Sequence, residues 1–166
     1  MNIIRKRRSI RRYTDQKVPD KIITKLLEAA MCAPSAGNQQ PWQFIIATET
    51  LVLKNISSTH PNASMVEHAA AAILVCGDLS RETHKGYWMI DCAAATENIL
   101  LEVVEHNLGA VWVGIYPRED RVKYLTTLFK LPEHIIPFSV VSIGYPAEVK
   151  EPNDRYNESI VHYNKW

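Results

Sequence analysis

The sequence predicts an α+β domain in which helices are mixed with about four short strands. Three observations lead there. The composition, 46% hydrophobic against 22% charged over 166 residues, suits one globular unit with a real core. Two segments carry apolar residues at helical spacing. Four short apolar runs, each closed by polar or glycine residues, read as buried strands.

Taken in order, the chain opens on RKRRSIRRY, residues 5–13, with Arg5, Lys6, Arg7, Arg8, Arg11 and Arg12 as a cationic cluster. Pro19 begins the first helix, whose stripe of Ile22, Ile23, Leu26, Leu27, Ala30 and Met31 must face a core. It runs to about Cys32 and is stopped by Ala33-Pro34-Ser35-Ala36-Gly37. Phe44 to Ala47 and Ala70 to Cys76 are the first two strands, joined by a polar loop that contains His60-Pro61-Asn62. The longest helix spans roughly Tyr87 to His106 and stops at Asn107-Leu108-Gly109. It is apolar on nearly every face, so it belongs at the centre of the fold, at a subunit interface, or both. Ala110 to Ile115 follows as a third strand, then a short helix from about Glu119 to Phe129, then a fourth strand from Phe138 to Ile143. The last residues, from Ala147, are polar with scattered apolar groups: Tyr156, Ile160, Val161, Tyr163 and Trp166. Such groups are poor candidates for free solvent, so the tail is expected to pack on another surface. The whole of 1–166 reads as a single domain, with 147–166 its tail.

Charge narrows the function classes. The net charge is +1, and six of the 19 Lys and Arg residues sit in the N-terminal cluster, leaving 13 basic against 18 acidic elsewhere. A local cluster on a mildly acidic body suits a small anion better than a nucleic acid, which calls for a basic face or stripe. No apolar segment follows the cations, which excludes a signal peptide. The apolar stretch from Tyr87 to Leu108 carries Asp91, Glu97, Glu102 and Glu105, which argues against a membrane span. Cys32, Cys76 and Cys92 lie far apart among apolar neighbours and read as reduced core thiols of a cytoplasmic protein.

The common catalytic constellations are missing. The six glycines form neither GxGxxG nor a P-loop, the six histidines show no HExxH or ligand spacing, and GxSxG is absent. Metal catalysis and an activated nucleophile are therefore unsupported, and Asp91 and Glu97 read as helix-surface or capping groups. An enzyme built this way needs a cofactor to bring the chemistry. Two stretches fit that role. Arg7-Arg8-Ser9-Ile10-Arg11 offers guanidinium forks and a hydroxyl suited to a phosphate monoester. Pro34 to Trp42, PSAGNQQPW, combines small residues that let backbone approach a ligand with side-chain amides suited to a heteroaromatic edge. Singly, each also fits a solvated cluster or an ordinary loop.

Together with AAAAILVCGD, DCAAATENILLEVVEHNLG, VWVGIYP and SIGYPAE followed by Arg155, these stretches occur in the order and approximate spacing of the nitroreductase family of FMN-dependent flavoproteins, which the chain resembles along essentially its whole length. The resemblance implies a mixed, mainly antiparallel sheet of about four to five strands wrapped by helices, in an intertwined homodimer. The long helix would lie at the interface, the tail would embrace the partner, and FMN would sit between the subunits. Arg7, Ser9 and Arg11 would hold the FMN phosphate and ribityl chain, joined by Arg155, with Arg8 near the flavin edge. Pro34, Ser35 and Ala36 would reach the flavin of the other subunit. Asn38, Gln40 and Asn62 match polar positions near the ring, and Val113 and Gly114 would set backbone N–H groups beside it. No residue of the chain is implied as a catalytic acid or base. Trp42, Trp88 and Trp112 are read as core.

The activity so implied is electron transfer from NADH or NADPH, by turns, to a nitroaromatic, a quinone or a similar acceptor. Two departures matter: Asn153 stands where many relatives carry a lysine, and the chain is a short member without the inserted helices that cover the flavin in longer ones. The alternatives are other flavin chemistry on the same fold, such as reductive dehalogenation or flavin breakdown, and a non-enzymatic dimer that binds an anion or nucleic acid.

Overall fold

Pattern and packing meet most directly in an inner strand of the sheet, Ala71–Asp78, where all eight residues are buried. A computed structural model describes residues 2–152 and 154–166; Asn153 lies outside the described residues. The elements are α1 (Ile3–Lys6), α2 (Asp20–Met31), β1 (Trp42–Ala47), α3 (Thr50–Ser57), β2 (Ala71–Asp78), α4 (Trp88–Glu105), β3 (Gly109–Gly114), α5 (Glu119–Phe129) and β4 (Ile135–Gly144). The strands form one antiparallel sheet in the order β1-β2-β4-β3, and a single parallel bridge, Ser9 to Ala110, attaches the N-terminal arm at the β3 edge.

The alternation of side chains along the strands separates two cores. Ile73, Val75, Val141 and Ile143 face α2 and α4, meeting Leu26, Ala30, Ile99 and Val103. Leu74, Cys76, Val111, Val113 and Val140 face the other way, meeting Leu53 and Ile56 of α3, Met65 and Val66 of the 3₁₀ segment Pro61–His68, and Leu125 of α5. Both faces of the sheet are covered, which is why β2 reads as an unbroken apolar run.

Several boundaries differ from the sequence expectation. β1 starts at Trp42 and β4 at Ile135, so β4 runs through Pro137. Proline cannot donate to a ladder, and Pro137 sits opposite Cys76 where the β2–β4 register shifts between Val75 and Cys76. The loop expected between β1 and β2 contains α3 and the Pro61–His68 segment. α3 has eight residues and buries only Leu53 and Ile56, too little to register as a stripe. Trp42 and Trp88 are buried as expected, and Trp112 packs half-buried against the α2/α4 core. Cys76 and Cys92 are buried free thiols, and burial pushes Cys76 up to about 12; Cys32, expected in the core, is exposed at the end of α2.

The N-terminal arm is fastened to the end of the sheet. Ile10 N–H donates to Ala110 O at 2.9 Å, Thr14 N–H to Tyr145 O at 2.9 Å, and Ala147 N–H to Arg12 O at 2.9 Å. The Tyr13 hydroxyl lies 2.7 Å from Ser142 Oγ and 2.8 Å from Ile10 O, and its burial pushes the phenol well above its ordinary range.

Candidate functional site

Four of the residues singled out in the sequence converge on one cavity. Arg11 from the arm, Asn62 from the Pro61–His68 segment, and Val113 and Gly114 from the end of β3 line a space of 620 Å³ together with His60, Met65 and Arg121. The volume is of the order expected for a small-molecule site, roughly 300–1,000 Å³. The strand end places Gly114 there, and a Cβ added to it would meet nothing within 4 Å, so the backbone borders open space. Arg121, in the first turn of α5, donates from Nη1 to Gly114 O at 2.7 Å and ties helix to strand. His60 precedes the Pro61–His68 segment and caps it, its Nδ1 accepting from Asn62 N–H at 3.2 Å. Burial lowers the His60 pKa, and the Arg121 charge acts in the same direction against a smaller pull from Asp120.

The other cations of the arm point elsewhere. Arg7 and Arg155 come together in a hollow of 300 Å³ beside α4, where Arg7 Nε lies 3.5 Å from Glu97 Oε1. Arg8 borders a third hollow, of 410 Å³, with Lys6, Leu100 and Lys150. The Ser9 carbonyl accepts from Lys150 Nζ at 2.6 Å. Arg11 is held apart because Glu148 Oε1 accepts its backbone N–H at 2.6 Å and that of Arg12 at 3.3 Å. Within one chain, then, Arg7 joins Arg155, whereas Arg11 belongs to the larger cavity.

The loop Pro34 to Gln40 is separate again. Gly37, Asn38 and Gln40 all have positive φ, and a Cβ on Gly37 would come within 2.3 Å of the His84 ring. Asn38 Oδ1 accepts from Gln40 Nε2 at 2.9 Å, and Ser35 Oγ accepts from Gln40 N–H at 3.1 Å. Beneath them Asp91, only 3% exposed, accepts from Ala36 N–H at 3.0 Å and from Gln39 Nε2 at 2.7 Å. Gln39 Oε1 in turn accepts from the backbone N–H groups of Thr83 and His84. Pro34, Asn38 and Gln40 are exposed, and Ser35 and Ala36 half-buried. The sequence reading missed Gln39, Asp91, His60 and Arg121. The first two look like a loop amide and a helix-surface acid, His60 was read only as part of a polar loop, and nothing in the pattern marks Arg121.

The comparison with known proteins decides the family. The model of the Nitroreductase family matches residues 4–145. The chain belongs to that family. Among its relatives, a protein of Methanothermobacter thermautotrophicus named "Putative NADH dehydrogenase/NAD(P)H nitroreductase" is 47% identical over the whole of this chain and 87% of its own length. A solved structure from Clostridium acetobutylicum, a "Putative NADH Oxidase", superposes with a TM-score of 0.97 at 43% identity, over 99% of this chain and 100% of that one. An FMN-dependent nitroreductase from Clostridium difficile R20291 gives a TM-score of 0.92 at 28% identity, over 99% of each chain. The nitroreductase resemblance read from six ordered motifs is borne out, and with it the α+β fold of helices around an antiparallel sheet.

Among the described residues no helix is long and apolar enough to cross a membrane, and no group of His, Cys, Asp or Glu is placed to hold a metal ion.

Proposed function

We propose that this nitroreductase-family chain binds FMN and works as an NAD(P)H-dependent oxidoreductase that reduces nitroaromatics, quinones or similar small acceptors in the cytoplasm. The convergence of Arg11, Asn62, Val113 and Gly114 on one cavity carries the reading. The donor set fits the cofactor: a cation, a side-chain amide and a strand end whose glycine leaves room for a ring against the backbone. Bound FMN would supply the redox chemistry, two-electron transfer between a nicotinamide and the acceptor.

The chain's own residues bind and orient. Asn62 and the Val113–Gly114 backbone hold the ring, and Arg11 neutralises charge beside it. Arg7, Ser9 and Arg155 serve the phosphate and ribityl end, and Arg8 the flavin edge. Pro34, Ser35, Ala36, Asn38 and Gln40 approach the cofactor of a second subunit. No side chain is required to carry a proton.

A homodimer of this single domain is part of the proposal. Ile90, Ala93, Ala94, Leu101 and Val104 form a stripe on α4 that this chain leaves partly or fully exposed. Tyr156, Ile160, Tyr163 and Trp166 of the tail are 73–99% exposed on a single chain. Both features are relieved by a second copy.

The test is the visible spectrum of FMN-reconstituted protein and its bleaching by NADH or NADPH without oxygen. Protein that takes up no FMN overturns the proposal. Nicotinamide and acceptor share one space in this reading, so double-reciprocal plots at several acceptor concentrations are parallel; intersecting lines overturn the shared site. Colourless protein with steeply salt-dependent nucleic-acid binding would favour the anion-binding alternative instead.

A further inference from the structure

Two residues that line the 620 Å³ cavity, His60 and Arg121, each carry a buried side-chain nitrogen with no partner among the described residues, Nε2 and Nε respectively. Their roles follow from the bonds their other nitrogens make. His60 Nδ1 accepts the Asn62 N–H, so in the neutral ring the proton sits on Nε2 and that atom is a donor. Burial and the Arg121 charge both favour the neutral ring. Arg121 spends Nη1 on Gly114 O, which fixes the guanidinium against the strand end and leaves its Nε–H unused. A buried donor without an acceptor is costly, and here two of them, one on a fully charged group, belong to residues that line the same cavity. Such a cavity is built to receive acceptor atoms.

We propose that Arg121 and His60 bind the acceptor-bearing edge of the ligand, which on the FMN reading above is the carbonyl and ring-nitrogen edge of the flavin pyrimidine. The two donors differ in what they do. His60, neutral, binds oxidised and reduced cofactor alike. Arg121 carries a fixed charge, held by Gly114, so it favours the greater negative charge that this edge bears after reduction. Arg121 thereby sets the ratio of affinities for reduced and oxidised FMN, while also positioning the β3 end.

The experiment measures the FMN dissociation constant and midpoint potential of the reconstituted wild type, Arg121→Gln, Arg121→Lys and His60→Phe, with far-UV circular dichroism as the check of folding. Loss of a charge-assisted hydrogen bond predicts FMN binding about ten- to a hundred-fold weaker in Arg121→Gln. Its reduced-to-oxidised affinity ratio falls about tenfold, which lowers the potential by about 30 mV for a two-electron couple. Arg121→Lys recovers most of the potential but not the affinity, because the charge returns without the fork. His60→Phe weakens binding and leaves the potential in place. If Arg121→Gln does not fold, the contrast between Arg121→Lys and His60→Phe still decides. Folded variants with wild-type affinity and potential, beside a wild type that takes up FMN, overturn this inference alone. A wild type that takes up no FMN overturns the parent reading and this inference with it.

Discussion

Glu148 illustrates how one side chain places another. Its carboxylate receives the backbone N–H groups of Arg11 and Arg12, and those bonds, chiefly the one from Arg11, with Lys150 nearby, hold its pKa below the usual carboxylate range against a smaller opposing effect of burial. A lowered folded-state pKa means the contribution is complete above the unfolded value and is lost as pH falls through the folded one. Glu148→Gln should therefore be less stable than wild type by about 1 kcal/mol at neutral pH. That difference should shrink steadily as the pH is lowered through the carboxylate range. Urea unfolding of both proteins across that range checks it; a difference independent of pH would mean that the charge of Glu148 contributes nothing. The same bonds aim Arg11 at the large cavity, whereas Arg7, four residues earlier, faces Glu97.

At the scale of elements, α4 does two jobs that its sequence blends together. One side buries Cys92, Ala95, Ile99 and Val103 against the sheet and α2, with Asn98 Nδ2 donating to Ala29 O at 2.9 Å across the helix pair. Its first turn presents Asp91 to the loop 34–40, which carries positive φ at Gly37, Asn38 and Gln40. Asp91→Ala would leave the Ala36 N–H and the Gln39 amide without their acceptor in a buried place. The expected cost is about 2–3 kcal/mol, with Asp91→Asn recovering part of it. Denaturant midpoints measure the cost, and hydrogen exchange at Ala36 locates it. Unchanged exchange there would show that the loop keeps its shape by other means.

For the whole molecule, the expected outcome concerns the tail. None of the described residues after Lys150 is buried in this chain, and His162 stacks on Trp166 within the tail at 4.2 Å between centroids. A chain ending at Lys150 should thus fold with nearly unchanged monomer stability. It should, however, lose Arg155 and the surface offered to a second copy, so that sedimentation detects a weaker dimer and titration a lower FMN affinity. A truncated protein that remains a fully FMN-loaded dimer would mean that the tail serves neither purpose.

By itself the sequence determined the α+β class, the two long helices, all four strands to within a few residues, and the family, because period, punctuation and motif order are local properties that survive without coordinates. It also named Arg11, Asn62, Val113 and Gly114, and the resemblance set the last three near the flavin ring but Arg11 at the phosphate, so the meeting of all four in one cavity was not read. That meeting depends on β3 being an edge strand next to β4, with the 3₁₀ segment and α5 packed on the same face, a matter of long-range pairing that no local pattern encodes. α3 stayed hidden because its buried face is two residues wide, and the run of β4 through Pro137 stayed hidden because only the bulge opposite makes it tolerable. Tertiary structure alone decided that Asp91 is a buried anchor, that Cys32 is exposed, and that His60 and Arg121 share a cavity. Burial and partnership belong to a residue's surroundings, and the chain assembles those surroundings only when it folds.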